Sequence, residues 1–177
     1  MKKKSIAVDM DGVLADVEAH LITYFERDFG ITILREDIQG LTEEEAFYGR
    51  QKVRSVLNSK DFFRTLPVID DAVESLKLLQ ENFEIYIVSA ATEFPLSLNE
   101  KIEWLAEHFP FIQWQNIVLC GSKTIINTDY LIDDHPKNLD FCMGKPIMFT
   151  AFHNAKKENY LRVNNWKEAV AVLKEAV

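Results

Sequence analysis

Two aspartates stand one residue apart, directly after a short apolar run near the start of the chain. Ile6 to Val8 have the composition of a buried strand; Asp9 and Asp11 follow, and Gly12 is able to take the turn beyond them. Because alternate side chains of an extended segment share a face, both carboxylates can reach one site. Like charges at one strand end repel each other, so a cation or a substrate must make both of them useful. The pattern favours a catalytic strand end.

An ordinary turn and a calcium-binding loop also begin with Asp-x-Asp-Gly. The calcium loop is excluded, because apolar Val13 and Leu14 follow the glycine and no glutamate closes a twelve-residue loop. The ordinary turn stays open on this stretch alone, so the other strand ends have to decide.

Polar side chains also follow later predicted strands. Four of them stand at or just after a strand's carboxyl end: Ser89, Lys123, Asp133 and Asp134. Carboxyl ends of parallel strands meet at one edge of a sheet, which is where open α/β sheets bind ligands. Taken singly, the serine is typical of a strand-end hydroxyl, the lysine of a solvated loop, and the aspartates of caps for a helix beginning at Pro136. Together they predict one site.

Strands alternate with amphipathic helices along the chain, which is typical of a parallel sheet covered on both faces. Five strands are predicted, at 6–8, 84–89, 116–120, 130–134 and 145–150. Helices are predicted to begin after Gly12 (ending at Gly30), at Asp71 with Glu74, at Ser97 with Glu100, at Pro136 and at Asn165. The predicted fold class is α/β, a Rossmann-like parallel sheet with helices on both faces.

The pattern changes between residue 31 and about residue 66 to short helical pieces. Gly40 and Gly49 interrupt these pieces, and Thr42 with Glu45 has the spacing of a capping box. No strand-like run interrupts the segment, and Pro67 ends it. The sequence therefore predicts a small helical insert between the first two strands.

Length and charge limit the classes of function. The chain has 177 residues, 47% of them hydrophobic, and a formal net charge of −8. That length fits one core with an elaboration, and the negative charge disfavours binding to nucleic-acid polymers or to anionic membranes. Any phosphate recognition must therefore come from cations local to a pocket.

A cytoplasmic location is expected. The basic start, Met1-Lys2-Lys3-Lys4, resembles the beginning of a signal peptide, but the apolar stretch behind it is short and runs into the two aspartates. No segment approaches the roughly 18 consecutive apolar residues of a membrane span. Cys120 and Cys142 lack the spacing of a zinc or redox site, so we expect reduced thiols.

The order of these motifs, Asp-x-Asp-Gly-Val, then a serine after a strand, a lysine and Asp-Asp, resembles the haloacid dehalogenase superfamily of phosphatases. Longer stretches are similar to its 5'(3')-deoxyribonucleotidases: Asp9 to Asp16, Glu100-Lys101, Cys120 to Thr124, Leu131 to Pro136 and Arg162 to Trp166. The resemblance spans nearly all of the core and is weak in the insert. It implies a core of residues 1–16 and 71–177, and a small helical cap of residues 17–70 over the site.

The resemblance also implies a magnesium-dependent phosphatase acting on deoxyribonucleoside monophosphates. Asp9 would attack phosphorus and form an aspartyl phosphate. Asp11 would protonate the leaving oxygen and then take the proton of the water that hydrolyses the intermediate. Ser89 and its backbone would hold the phosphate, and Lys123 would neutralise it. Lys101 would add a second cation, its alternative being a plain surface lysine.

Clustered carboxylates beside a phosphate require a metal ion, and all-oxygen ligands favour magnesium over zinc. The family pattern implies three ligands: Asp9, the backbone carbonyl of Asp11 and one carboxylate of the Asp133-Asp134 pair. We favour Asp134 as the direct ligand, with Asp133 nearby or bound through water. His135 is given no catalytic part.

Aromatic residues of the insert are candidates for stacking on a nucleobase. They are Phe47 and Tyr48, then Phe62 and Phe63, whose alternative is to fill the core of the cap. The sequence departs from the better-known deoxyribonucleotidases, which carry an aromatic in place of Val17 and Thr-Ser-Pro in place of residues 89–91.

Three hypotheses for the function follow. The first is hydrolysis of deoxyribonucleoside monophosphates. The second is the same machinery acting on another small phosphomonoester such as a sugar phosphate, with a phosphomutase as a variant. The third is a catalytically silent binding module. A homodimer stays open, because no sequence pattern here defines the oligomeric state.

Overall fold

The computed structural model describes residues 3–175, and a six-stranded parallel sheet lies at its centre. Met1 and Lys2 of the predicted basic start, and the last two residues of the predicted core, lie outside the described residues. The strands are β1 (Lys4–Val8), β2 (Phe83–Ser89), β3 (Ile117–Leu119), β4 (Tyr130–Asp133), β5 (Lys145–Phe149) and β6 (Leu161–Val163). Their order across the sheet is β3-β2-β1-β4-β5-β6. The predicted α/β class is confirmed.

The sixth strand was not predicted. It has three residues, of which Leu161 is exposed and Val163 is fully buried, so it offers no apolar run to detect. It pairs in parallel with β5, placing Val163 beside Phe149.

The helices are α1 (Val17–Phe29), α2 (Glu43–Ala46), α3 (Arg50–Leu57), α4 (Ala72–Gln80), α5 (Ser97–His108), α6 (Pro136–Leu139) and α7 (Trp166–Lys174). Short 3-10 turns are formed by Phe63–Thr65, Ala91–Glu93, Trp114–Asn116, Lys123–Ile125 and Phe152–Asn154. The first helix begins later than predicted, because Asp16 caps it by accepting the N–H of Ala19.

The two faces of the sheet are covered unequally. Ile6 of β1 points into a large apolar cluster that also contains buried residues of α1, α4, α5 and α7. Ala7 points into a smaller cluster on the opposite face, where Leu139 of α6 and side chains from loops complete the packing. Helices therefore lie on both faces as predicted, and among the described residues the second face has the thinner cover.

Several predicted helix ends are confirmed. Thr42 and Glu45 form a reciprocal capping box, and Asn165 accepts the N–H of Glu168 at the start of α7. Pro136 is the first residue of α6, and Gly30 ends α1 with a left-handed φ of 64°.

Two predicted caps are wrong. Asp71 precedes α4 but makes no capping hydrogen bond, and its carboxylate pairs with Lys167 of α7 at 3.0 Å. Ser97 donates to the carbonyl of Ala91, and Glu100 accepts backbone N–H groups of the insert. The spacing was that of a capping box, but partners outside the helices that these residues begin bind their side chains instead.

The insert folds back onto the start of the core. Asp16 donates its N–H to the carbonyl of Pro67 at 2.8 Å, and Ala15 forms an isolated bridge with Val68. Its buried side chains, among them Phe25 and Phe47, belong to the same apolar cluster as the sheet. The insert is helical as predicted, while the exact division between core and cap stays a prediction.

The helices and the two cysteines bear on expectations from the sequence. None of the helices within residues 3–175 has the length and apolar character needed to cross a membrane. Cys120 and Cys142 are free thiols, each partly buried, as expected.

The indole of Trp166 ties the last helix to the loop after β1. Its Nε1–H donates to the carbonyl of Val13 at 2.9 Å, and its side chain is fully buried. We expect Trp166→Phe to lower the free energy of unfolding by about 2–4 kcal/mol, because it leaves a buried carbonyl unpaired and a cavity beside it. Urea denaturation measures the change. Trp114→Phe, at a 78% exposed position, should change it by under about 0.5 kcal/mol, and equal effects would contradict the prediction.

Candidate active site

The carboxyl ends of the central strands open on one cavity of about 890 Å³. Its walls include five of the predicted site residues: Asp9, Asp11, Lys101, Lys123 and Asp134. Ser89 and Asp133 are not among the described residues that line the cavity. Each of these two is under 2% exposed; Ser89 lies behind Lys101, and Asp133 lies behind Lys123. The structure thus brings every predicted site residue together, at two depths.

A buried ammonium joins two of the carboxylates. Nζ of Lys123 lies 2.7 Å from Oδ1 of Asp9 and 2.6 Å from Oδ2 of Asp133. Oδ1 of Asp9 also accepts the N–H of Met10. Among the described residues, the hydrogen bonds that Asp9 accepts fall on Oδ1, which leaves Oδ2 for the cavity.

Burial and neighbouring charges together control the ionisation of Asp9 and Lys123. Removal from water raises the pKa of the Asp9 carboxyl well above its usual value; Lys123 opposes the shift, and the neighbouring carboxylates of Asp133, Asp134 and Asp11 add to it. Burial alone would lower the pKa of Lys123, but contact with Asp9 and Asp133 raises it overall. The lysine therefore stays charged, and Asp9 needs a further cation nearby to be fully ionised.

Lys101 forms a second centre of the same kind. It projects from α5, is 2% exposed, and contacts Oδ2 of Asp11 and the hydroxyl of Ser89, the latter at 2.9 Å. The surface-lysine alternative is wrong. Asp11 differs from Asp9 in that a third of its side chain is exposed and its Oδ1 has no hydrogen-bond partner in the part of the chain that the structure describes.

The Asp133-Asp134 pair is divided by hydrogen bonding. Both oxygens of Asp133 are engaged, by Lys123, by the side chain of Asn138 and by the N–H of His135. Oδ2 of Asp134 accepts a hydrogen bond from Nε2 of His153 at 2.9 Å, whereas its buried Oδ1 has no partner among residues 3–175. An oxygen available to a ligand is therefore found on Asp134 and not on Asp133.

The donor set fits a hard divalent cation. Carboxylate oxygens of Asp9, Asp133 and Asp134 lie within 4.8 Å of one another, and among the described residues the buried Oδ1 of Asp134 has no hydrogen-bond partner. Gly12 permits this approach: it has a φ of 76°, and a Cβ there would lie 2.3 Å from Oδ2 of Asp134. Oxygen-only ligands of this kind suit magnesium.

Three side chains that complete the site were missed from sequence. His153 bonds Asp134 and stacks on His135, with ring centroids 4.1 Å apart. Asn154 donates to the backbone carbonyl of Asp134, and Asn138 bonds Asp133. His153 follows the end of β5 closely, so the rule that found the other site residues, polarity after a strand, would have found it too.

Asp134 and His153 shift each other's ionisation. Burial alone would raise the pKa of Asp134, but His135 and His153 lower it overall. Burial alone would lower the pKa of His153, but Asp134 raises it overall. Asp134, His135 and His153 also have ligand atoms within 4.8 Å of one another. The two imidazole planes differ by 12° and so do not aim two lone pairs at one ion.

Comparison with known proteins identifies the family. The family model described as "5' nucleotidase, deoxy (Pyrimidine), cytosolic type C protein" matches residues 3–176. The 5'(3')-deoxyribonucleotidase of Bacillus subtilis (strain 168) is 40% identical over 166 residues, which cover 94% of this chain and 96% of that protein. The chain belongs to this deoxyribonucleotidase family.

A Staphylococcus aureus (strain Mu50) protein that carries the same name provisionally is 43% identical over 171 residues, covering 95% of this chain and 94% of its own. The fold is shared with a haloacid dehalogenase family hydrolase of Deinococcus radiodurans R1, at a TM-score of 0.67 and 15% identity over 98% of this chain and 96% of that one. This chain, as a member of the deoxyribonucleotidase family, is a phosphoric monoester hydrolase of the 5'-nucleotidase type.

The aromatic residues of this enzyme's insert are mostly buried. Phe47 and Phe62 are fully buried, and Phe47 packs between Phe25 and Phe152. Tyr48 is 59% exposed but is absent from the described lining of the cavity, whereas Phe63 lines it and faces Lys101. The structure favours the core alternative for Phe47 and Phe62.

Replacing the central ammonium tests its structural importance. We expect Lys123→Met, in chelator-treated enzyme, to lower the free energy of unfolding at pH 7 by about 3–5 kcal/mol, because Asp9 and Asp133 remain buried without their cation. Burial raises the pKa of Asp9 and Lys123 opposes that shift, so without the lysine the folded-state pKa of Asp9 lies further above the unfolded one. The loss should therefore shrink as the pH falls below about 4, where the carboxyl becomes protonated in the unfolded state as well. Urea titrations over pH measure this. Lys145→Met, at an exposed position, is the control, and a loss no larger than the control's would contradict the prediction.

Proposed function

We propose that this enzyme hydrolyses the phosphomonoester of deoxyribonucleoside monophosphates, with Mg²⁺, through an aspartyl phosphate on Asp9. The observation that carries the proposal is the pairing of two carboxylates with two buried ammonium groups at one cavity: Asp9 with Lys123, and Asp11 with Lys101. The pairs give the two aspartates different surroundings, as a nucleophile and an acid–base group require.

In the first step Oδ2 of Asp9 attacks phosphorus, and the bond from phosphorus to the ester oxygen breaks. The electron pair of that bond goes to the leaving oxygen, which takes the proton of Asp11. Lys123 and Lys101 neutralise charge on the phosphoryl oxygens and on the carboxylates. Ser89, expected from the sequence to hold the phosphate, is buried behind Lys101 and would act by holding that ammonium in place through its hydroxyl. The deoxyribonucleoside leaves.

In the second step Asp11, now ionised, accepts a proton from water. The water oxygen attacks phosphorus, the bond from phosphorus to Asp9 breaks, and inorganic phosphate is released. Asp11 regains its proton and Asp9 its carboxylate, so both residues return to their starting state. The exposed third of Asp11 is consistent with access for the leaving group and then for water.

Asp9, the backbone carbonyl of Asp11 and Asp134 would hold the Mg²⁺ ion. When bound, the ion neutralises the clustered carboxylates and charge on the phosphoryl group. The unpartnered Oδ1 of Asp134 and the raised pKa of Asp9 both support a cation at this place. Asp133 is fully engaged by protein donors and so acts by positioning Lys123.

The choice of a deoxynucleotide substrate is supported by the family. The cavity extends between the sheet edge and the insert, where Val17, Arg35 and Arg54 line it. A second candidate, another small phosphomonoester such as a sugar phosphate, is favoured by one observation, namely that the insert buries Phe47 and Phe62 instead of offering them to a base. The description of the family supports a cytosolic location.

Phosphate release from a panel of esters tests the reaction and the substrate. We expect hydrolysis of deoxyribonucleoside monophosphates in preference to ribonucleotides, sugar phosphates and an aryl phosphate, dependent on Mg²⁺ and abolished by chelator. Asp9→Asn should show no turnover with its fold intact, because the amide keeps the shape but is not nucleophilic. Turnover by this variant would contradict the role of Asp9, and preference for sugar phosphates would select the second candidate.

Asp11→Asn should slow both chemical steps. We expect kcat to fall by about 100-fold or more, since general acid–base catalysis contributes about 10²–10⁴. Because formation and hydrolysis of the intermediate are both slowed, phosphoenzyme should not accumulate in acid-quenched samples. A rate equal to that of the unmodified enzyme would remove Asp11 from the acid–base role.

A further inference from the structure

Glu100 of α5 binds the backbone of the insert. Its Oε1 accepts the N–H of Asp61 at 2.8 Å, and its Oε2 accepts those of Phe63 and Arg64 at 3.0 and 3.3 Å. Phe63 and Arg64 are the first two residues of the 3-10 turn Phe63–Thr65, and Asp61 stands two residues before it. Charge-assisted hydrogen bonds to one carboxylate are among the stronger ones that a protein makes.

The turn needs such a partner. A single 3-10 turn has little stability of its own. Asp61 has a φ of 65°, the left-handed conformation that disfavours residues other than glycine. The first N–H groups of a turn of this kind lack acceptors within the turn, and the carboxylate of Glu100 accepts their hydrogen bonds.

Phe63, carried by this turn, covers the ammonium of Lys101. Nζ of Lys101 lies 4.6 Å from the centre of the Phe63 ring, on which a cation is attracted to the face. Within residues 3–175, this ammonium also contacts Asp11 and the hydroxyl of Ser89. The ring thus forms the wall that keeps Lys101 dehydrated and directed at Asp11.

We propose that Glu100 is a positioning residue for the reaction. By fixing the turn that carries Phe63, it holds the ammonium of Lys101 against the carboxylate of Asp11, so that part of the insert belongs to the acid–base centre. The inference rests on the proposed function, in which Asp11 protonates the leaving oxygen.

The dependence on the leaving group separates this role from a merely structural one. A poor leaving group, such as the alkoxide of a sugar, needs protonation by Asp11, whereas the phenoxide of an aryl phosphate leaves with little help. We expect Glu100→Gln to lower kcat/KM for an alkyl phosphate ester about tenfold, and for p-nitrophenyl phosphate less than about twofold. Damage to the fold or to phosphate binding would lower both values alike.

Glu103→Gln is the matched control. Glu103 lies on the same helix, carries the same side chain, and contacts Arg64 at 3.5 Å and Asn99 at 2.6 Å. Its replacement should leave both values within about twofold of those of the unmodified enzyme. A selective loss equal to that of Glu100→Gln would overturn the inference.

Phe63→Leu gives a second, independent test. It removes the ring and should show the same selectivity for alkyl esters, and combining it with Glu100→Gln should add little further loss, because both act through one contact. A double variant whose loss in kcat/KM equals the product of the two single losses would overturn the inference. So would an equal loss for alkyl and aryl esters in either single variant.

Failure of the proposed function is distinguishable from failure of the inference. The alkyl ester used is whichever alkyl phosphate the unmodified enzyme hydrolyses, so a sugar phosphate serves if deoxynucleotides are not cleaved. Absence of phosphate release by the unmodified enzyme from every ester would overturn the proposed function, and the inference with it. Normal release with a Glu100→Gln variant that is unimpaired would overturn the inference alone.

Discussion

The ammonium of Lys123 is the constraint on which the site depends. The register of β1 beside β4 pairs Val8 with Ile132, and Asp9 donates its N–H to the carbonyl of Ile132, so main-chain hydrogen bonds force Asp9 and Asp133 to leave the sheet side by side. Two buried carboxylates that leave adjacent strands side by side repel each other strongly. Lys123, between them at 2.7 and 2.6 Å, makes the arrangement stable. The sheet fixes the spacing of the acids, and the lysine makes that spacing tolerable.

Lys101 is a second buried ammonium that pairs with a carboxylate at the cavity, but its surroundings differ from those of Lys123. Its ammonium is buried like that of Lys123, but its partners are one carboxylate and one hydroxyl instead of two carboxylates. Asp11 also keeps a third of its surface exposed, whereas Asp9 keeps under a tenth. Under the proposed roles, that contrast assigns the enclosed carboxylate to nucleophilic attack and the more open one to exchange of protons with the leaving group and water.

What the sequence predicted depends on how local each interaction is. Asp9, Ser89 and Asp134 were found because a strand's alternation and its end are visible in a few neighbouring residues. Lys101 could be placed on a helix, but its burial depends on Phe63 and Asp11, which are distant in sequence. Glu100 had the spacing of a cap, and the N–H groups of the insert bind it instead. Local spacing cannot rank a near partner against a distant one.

The two halves of the cavity differ in how their side chains are held. The residues at the strand ends are buried and paired, so their positions follow from the sheet. Those contributed by the insert are longer and more exposed: Arg54 pairs with Glu93 at 2.9 Å, and Arg35 with Asp16 at 2.7 Å, with about half of each arginine in water. Exposed pairs of this kind contribute about 0–1 kcal/mol, so a substrate can exchange with them at little energetic cost. Under the proposed function, changes in the insert can therefore alter the substrate while the strand ends keep the chemistry, except at Phe63, where the insert contacts Lys101 itself.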